Sequence, residues 1–247
     1  MIKNVIVSIL IFTVTAVSAK DLCSNLPKYS ALKKALVEAR KSANGGLNLD
    51  MWATIVDRSG IVCAVAFTGE KFDSQWPGSR VISAQKANTA NAFSLKGLAL
   101  STANLYSAVQ PGSSLFGLQE SNPVDTKVAY QGDSANFGTK KDPMMGKRIG
   151  GVNVFGGGLA LYNSKGEILG AVGVSGDTSC ADHNIAWKVR SKLALDFVPG
   201  GVSADKNDQI IFDIDPAAKS LGGYGHPDCG GLAQATAKEL PKTQIVK

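Results

Sequence analysis

The stretch MWATIVDRSGIVCAVAF, residues 51–67, decides the fold. Two apolar runs, residues 51–56 and 61–67, are separated by Asp57-Arg58-Ser59-Gly60, which has hairpin-turn chemistry. Strands joined by so short a connection must be antiparallel. The later strands expected at 151–155, 158–162 and 168–174 are apolar on both faces, so layers are expected over both sides of the sheet.

Working outward, residues 30–43 read as an amphipathic helix. Leu32, Ala35, Leu36, Ala39 and Ala43 share one face, and Asn44-Gly45-Gly46 ends it. After the hairpin, Trp76-Pro77-Gly78 marks a loop, and a second helix is expected from Ser83 to about residue 95. Its face is small: Ala84, Ala87, Ala90, Asn91 and Phe93. Residues 110–148 show no strong periodicity and read as a long loop, a feature often functional or mobile. Strands are then expected at 151–155, 158–162 and 168–174, with Asn163-Ser164-Lys165-Gly166 as the turn between the last two. A final amphipathic helix is expected from Asp182 to about residue 195. A Gly-rich tail follows, with residues 209–214 as a possible edge strand. The order predicts an α+β domain, α/β/α layered, around a central antiparallel sheet of about five strands.

Residues 1–19 carry Lys3, an apolar run at 5–14 and the small-residue site Val17-Ser18-Ala19, the pattern of a secretory signal peptide. The expected organisation is a leader at 1–19, a domain at 20–198 and a Gly-rich C-terminal extension at 199–247. No other run approaches the roughly 20 apolar residues of a membrane helix, so no integral membrane segment is expected in the mature chain. The chain is expected to be exported, periplasmic or extracellular. Its formal charge of +6 falls to +5 without Lys3. That charge is scattered, and without a clustered basic face no nucleic-acid partner is expected.

Four cysteines in an exported chain read as two disulfides with three possible pairings. Each of the two histidines stands three residues from a cysteine: Cys180-Ala181-Asp182-His183 is mirrored by His226-Pro227-Asp228-Cys229. The mirror favours Cys180 with Cys229, leaving Cys23 with Cys63, and would bring both imidazoles together. Three readings stay open: a structural disulfide beside two exposed histidines, ligation of haem iron or a transition metal by His183 and His226, and a Cys2His2 zinc set. Lys86 reads as a solvated lysine or as a partner for a haem propionate. Gly156-Gly157-Gly158 leads into a strand rather than a helix, which suits close packing or a flat ligand better than a phosphate. Gly173-Val174-Ser175-Gly176-Asp177 lacks the last glycine of a nucleophile elbow, and no other catalytic motif is present. No catalytic residue is assigned.

Four segments in order resemble the GlcG/HbpS family: Ile55-Val56-Asp57 with Gly60 and Ala64; Ser83 to Ala90, SAQKANTA; Gly156 to Leu161, GGGLAL; and Gly170 to Gly176, GAVGVSG, with Asp182. The resemblance implies a profilin-like fold, haem as cofactor and partner, and often a homo-oligomer. The haem-binding candidates are Lys86, Thr89, Gly156, Gly157 and Gly158, which lie in the resembling segments, and His183 and His226, which come from the mirrored spacing. The resemblance leaves three functions open: an exported protein that holds haem for storage, transport or sensing; a haem- or metal-dependent redox or degradative enzyme; and a self-assembling structural protein. The chain departs from the family pattern at Ala160, where the family usually has Pro, at Phe67-Thr68-Gly69-Glu70, and in the length of the 110–148 loop.

Overall fold

The structure is a computed structural model that describes residues 22–247. The expected leader lies outside the described residues. The hairpin forms as β1 (Trp52–Asp57) and β2 (Val62–Phe67). Asp57 closes it: Oδ1 accepts hydrogen bonds from Ser59 N, Ser59 Oγ and Ile61 N, at 2.8, 2.7 and 2.9 Å. Gly60 takes φ +81°, which a residue with a side chain rarely adopts. With β3 (Gly158–Tyr162) and β4 (Ile168–Ser175), the hairpin makes a four-stranded antiparallel sheet of order β2-β1-β4-β3. The class is the expected α+β, with four strands rather than about five.

Both faces of the sheet are covered. Ala53, Ile55, Ala64, Leu159, Val172 and Val174 pack against α1 (Tyr29–Arg40) and α5 (Ser179–Lys192). Trp52, Val56, Val65 and Ala171 pack on the other face against α2 (Ser79–Phe93), through Val81, Ala84, Ala87 and Ala90. The small face of α2 has a consequence at β4. A Cβ on Gly173 would stand 1.9 Å from Ser83 O and 2.4 Å from Ala87 N, so helix and strand meet backbone to backbone.

Two expected strands are absent. Residues 151–155 are extended but unpaired: Asn153 N donates to Thr89 Oγ1 at 2.9 Å, and Asn88 Nδ2 donates to Gly151 O at 2.8 Å. Side chains of α2 satisfy a backbone that a neighbouring strand would otherwise claim. Residues 209–214 behave alike. Ile210 N is taken by His183 Nε2, Gln209 O by Asn104 Nδ2, and Ile211 O by His226 N.

Two helices begin earlier than expected. α2 starts at Ser79, and Ser83, one turn inside, bonds back to Arg80 O and to Thr54. α5 starts at Ser179 because Thr178 caps it, its Oγ1 accepting from Ala181 N. The 110–148 loop holds two single turns, α3 (Leu118–Ser121) and α4 (Thr126–Ala129). It is tied to α2 by a buried ion pair between Arg80 and Asp142, whose carboxylate also accepts from Gly138 N and Met144 N. Residues 199–247 fold back over α5 and include α6 (Ala233–Lys238).

Candidate functional site

The Gly156–Gly158 turn threads between α2 and the first turn of α5. A Cβ on Gly156 would sit 2.4 Å from Ser179 O and 3.1 Å from His183 Cβ. On Gly157 it would sit 2.4 Å from Val174 O, 3.1 Å from Asp182 Cβ and 3.2 Å from Lys86 Cδ. On Gly158 it would meet Lys86 O at 2.4 Å. The three glycines bring Lys86 and His183 to one turn, where His226 joins them. Thr89 lies one helical turn along α2, where Oγ1 donates to Gln85 O and accepts from Asn153 N.

Lys86 is not solvated. It is 1% exposed, and its Nζ lies 2.7 Å from Asp182 Oδ2 and 3.3 Å from Val174 O. A buried ammonium needs such a partner. The sequence offers Asp182 only as a helix-start acid, and nothing in it links the two residues across 96 positions. Burial pushes the Asp182 carboxyl up to about 6, against the downward pull of Lys86 and of a hydrogen bond from Asp177 N.

The histidines are not exposed either. His183 is 0% and His226 1% exposed. His183 Nε2 accepts from Ile210 N at 3.2 Å, and its Nδ1 has no partner among the described residues. His226 Nδ1 donates to Pro227 O at 2.8 Å, while Nε2 accepts from Gly156 N at 3.4 Å. Burial lowers both imidazoles, His226 to about 4, and Arg190 and the other histidine add to the effect at His183. Both rings are therefore neutral near pH 7. Tyr106 lies 5.2 Å from the His226 ring and 6.5 Å from that of Phe155, centroid to centroid.

Cys180 bonds to Cys229, and Cys23 to Cys63. The first bond pins the extension to α5. With both sulfurs of Cys180 and Cys229 in that bond, neither is a thiolate, and the Cys2His2 zinc set is not assembled in this state. A haem does not fit the closed arrangement. The glycines are met by backbone rather than by open space, the Lys86 amine is taken by Asp182, and each imidazole Nε2 is engaged by a backbone N–H.

Sequence reasoning missed the ion pairs that hold this region. Arg190 donates twice to Asp208, at 2.7 Å each, with both side chains 0% exposed, and lies 4.7 Å over the Trp187 ring. An arginine on the buried side of a helix is the one signal that such a partner exists.

No curated protein matches this chain. It is similar to the protein of a PduOC:haem complex at 24% identity and a TM-score of 0.45, over 66% of this chain and 89% of that chain. It is also similar to Klebsiella pneumoniae protein ORFY, of the DUF336 family, at 24% identity and a TM-score of 0.45, over 68% of this chain and 90% of that one. Over residues 28–190 the chain matches the family described as haem degrading protein HbpS-like, and it belongs to that family.

Proposed function

We propose that this is an exported haem-binding protein, with residues 20–198 as the family domain and 199–247 as its extension. Membership of the HbpS-like family carries the reading. The convergence of Lys86, His183 and His226 on the Gly156–Gly158 turn supports it, because a basic group and two neutral imidazoles beside side-chain-free backbone suit a flat, anionic, iron-bearing ligand. Lys86 is held by Asp182, His183 by Ile210 N, and His226 belongs to the extension itself, so haem enters only as these contacts rearrange. The leader at 1–19 and the two disulfides support export. Self-association into a homo-oligomer belongs to the same reading.

Ferric haem titrated into the mature chain tests it. The expected result is a shifted Soret band saturating near one equivalent per chain, weakened in His183→Ala and His226→Ala. An unchanged haem spectrum at equimolar protein would overturn the reading and leave the self-assembling structural alternative. The family description favours one second reading, a haem-degrading enzyme. Loss of the Soret band on adding a reductant and oxygen would support that one, and a stable band would support binding alone. Light scattering at micromolar concentration tests the oligomer.

A further inference from the structure

We propose that reduction of Cys180–Cys229 creates a zinc site, made by Cys180 Sγ, Cys229 Sγ, His226 Nδ1 and the Pro227 carbonyl oxygen. The donor atoms already surround one point. Cys180 Sγ lies 3.9 Å from His226 Nδ1 and 3.5 Å from Pro227 O. Pro227 O lies 4.0 Å from Cys229 Sγ and 2.8 Å from His226 Nδ1. The two sulfurs and the imidazole nitrogen all fall within 4.8 Å of one another. A tetrahedral zinc with bonds of about 2.3 Å to sulfur and 2.0–2.2 Å to nitrogen and oxygen has ligand–ligand edges of roughly 3.3–3.8 Å. The bond between the two sulfurs holds the set shut, and the 2.8 Å hydrogen bond between His226 Nδ1 and Pro227 O must lengthen as the metal enters.

The first turn of α5 prepares one of the sulfurs. Cys180 N donates to Cys229 Sγ at 3.2 Å, and Ser179 Oγ stands 3.4 Å from it. Donors aimed at sulfur at a helix N-terminus stabilise the thiolate that a metal needs. Cys229 is half-buried in a loop, so a reductant reaches it and it can step away from Cys180, which is fully buried. The other cluster of this kind is Cys23, Asp57 and Cys63. Its carboxylate oxygen already accepts three hydrogen bonds in the β1–β2 turn.

The chemistry balances with a dithiol as reductant. One of its thiolates attacks Cys229 Sγ, forming a mixed disulfide and releasing Cys180 as thiolate. Its second thiol then displaces Cys229. The dithiol is oxidised to a disulfide, and the cystine takes up two electrons and two protons. Zinc binding returns those two protons to solvent. The proton on His226 Nδ1 moves to Nε2, and the long contact from Gly156 N is given up. The site differs from the set read from the sequence: His183, engaged by Ile210 N, is not a ligand.

Cobalt(II) titration of the full mature chain is the test, with a water-soluble phosphine as reductant so that no added thiol competes. The reduced chain is expected to take up one cobalt with an intense sulfur-to-cobalt charge-transfer band, zinc to displace it, and the oxidised chain to give no band. His226→Ala is expected to weaken binding at least tenfold, and Cys180→Ser/Cys229→Ser to abolish it. Binding that survives in the double variant would place the metal at Cys23 and Cys63 and overturn the proposal, as would a reduced chain with no band. A readout on the wild-type sequence covers the case where a variant does not fold: zinc should shield Cys180 and Cys229 from alkylation in the reduced chain, as mapped by peptide mass. Equal alkylation with and without zinc would overturn the proposal.

Discussion

Lys86 and Asp182 meet 2.7 Å apart, one on α2 and the other in the first turn of α5, at 2% and 3% side-chain exposure. They join the helices of opposite faces around the end of β4, where Lys86 also reaches Val174 O. Removing one member leaves an uncompensated buried charge, whereas removing both does not. Lys86→Met is therefore expected to destabilise the fold by about 3–5 kcal/mol, and Lys86→Met/Asp182→Asn by clearly less. Denaturant unfolding of the two variants checks this. Equal losses would mean that the pair is not coupled.

The contact between α2 and β4 makes a second prediction. Gly173→Ala puts a methyl 1.9 Å from Ser83 O, which is helix backbone and cannot rotate away. The helix must shift off the strand, breaking the Thr54–Ser83 hydrogen bond of 2.8 Å. A loss at or above the upper end of the roughly 1–3 kcal/mol typical of overpacking is expected. Ala87→Gly, which adds no atom there, should cost only about 1 kcal/mol in helix propensity. A Gly173→Ala variant with a wild-type melting temperature would show that the two backbones do not touch.

What could be read from the sequence divides along the range of the interactions. The hairpin, the β3–β4 turn and the three long helices follow from local signals: turn residues at 57–60 and 163–166, and apolar spacing in between. The extended run 151–155 reads as a strand because an unpaired apolar segment and a paired one look alike along the chain. The difference lies in Thr89 and Asn88, more than sixty residues away. Lys86, His183 and His226 stand out by motif and spacing, but their burial is not legible in the sequence. It depends on Asp182 reaching Lys86, and on residues 199–247 lying over α5. Arg80 with Asp142, 62 positions apart, shows the same limit.

Acid should weaken the fold through the histidines, in the oxidised chain. His226 titrates at about 4 when folded against about 6.5 unfolded, and His183 is lowered too. Their contribution is complete above pH 6.5 and is lost as pH falls toward the folded values. Asp182 acts oppositely: raised to about 6, it takes up a proton in the fold before it does in the unfolded chain. Over about pH 6 to 4 the unfolded chain therefore holds more protons on these groups than the folded chain does, because the two lowered histidines outweigh the raised Asp182. Stability therefore slopes downward as pH falls through this range. His226→Gln, which can still accept from Gly156 N, should flatten that slope. Parallel slopes in denaturant unfolding at pH 6, 5 and 4 would contradict the assignment.

The last prediction concerns what binds residues 199–247 to the domain. Arg190 on α5 is fully buried and points its fork at Asp208, with Nη1 also donating to Ala160 O in β3 and Nε without a partner among the described residues. Around it, Trp187 Nε1 donates to Pro241 O, and Asn184 Nδ2 to Ala233 O. The extension thus supplies acceptors to three residues spaced three apart along one side of the same helix, beyond the Cys180–Cys229 bond. Asp208→Asn keeps the shape but leaves Arg190 charged and buried, so a loss of about 3–5 kcal/mol is expected. Opening the disulfide alone, by Cys180→Ser/Cys229→Ser, removes a constraint on a loop of 49 residues, worth about 4 kcal/mol in the chain-entropy account. Either loss is a large part of the roughly 5–15 kcal/mol that holds a domain together. A chain ending at residue 198 suffers both, and exposes Trp187 to water as well. It is expected to fail to fold cooperatively, while each variant above still shows a single unfolding transition. If the shortened chain melts like the full one, the extension is a removable cover and Arg190 must find its counter-charge in solvent.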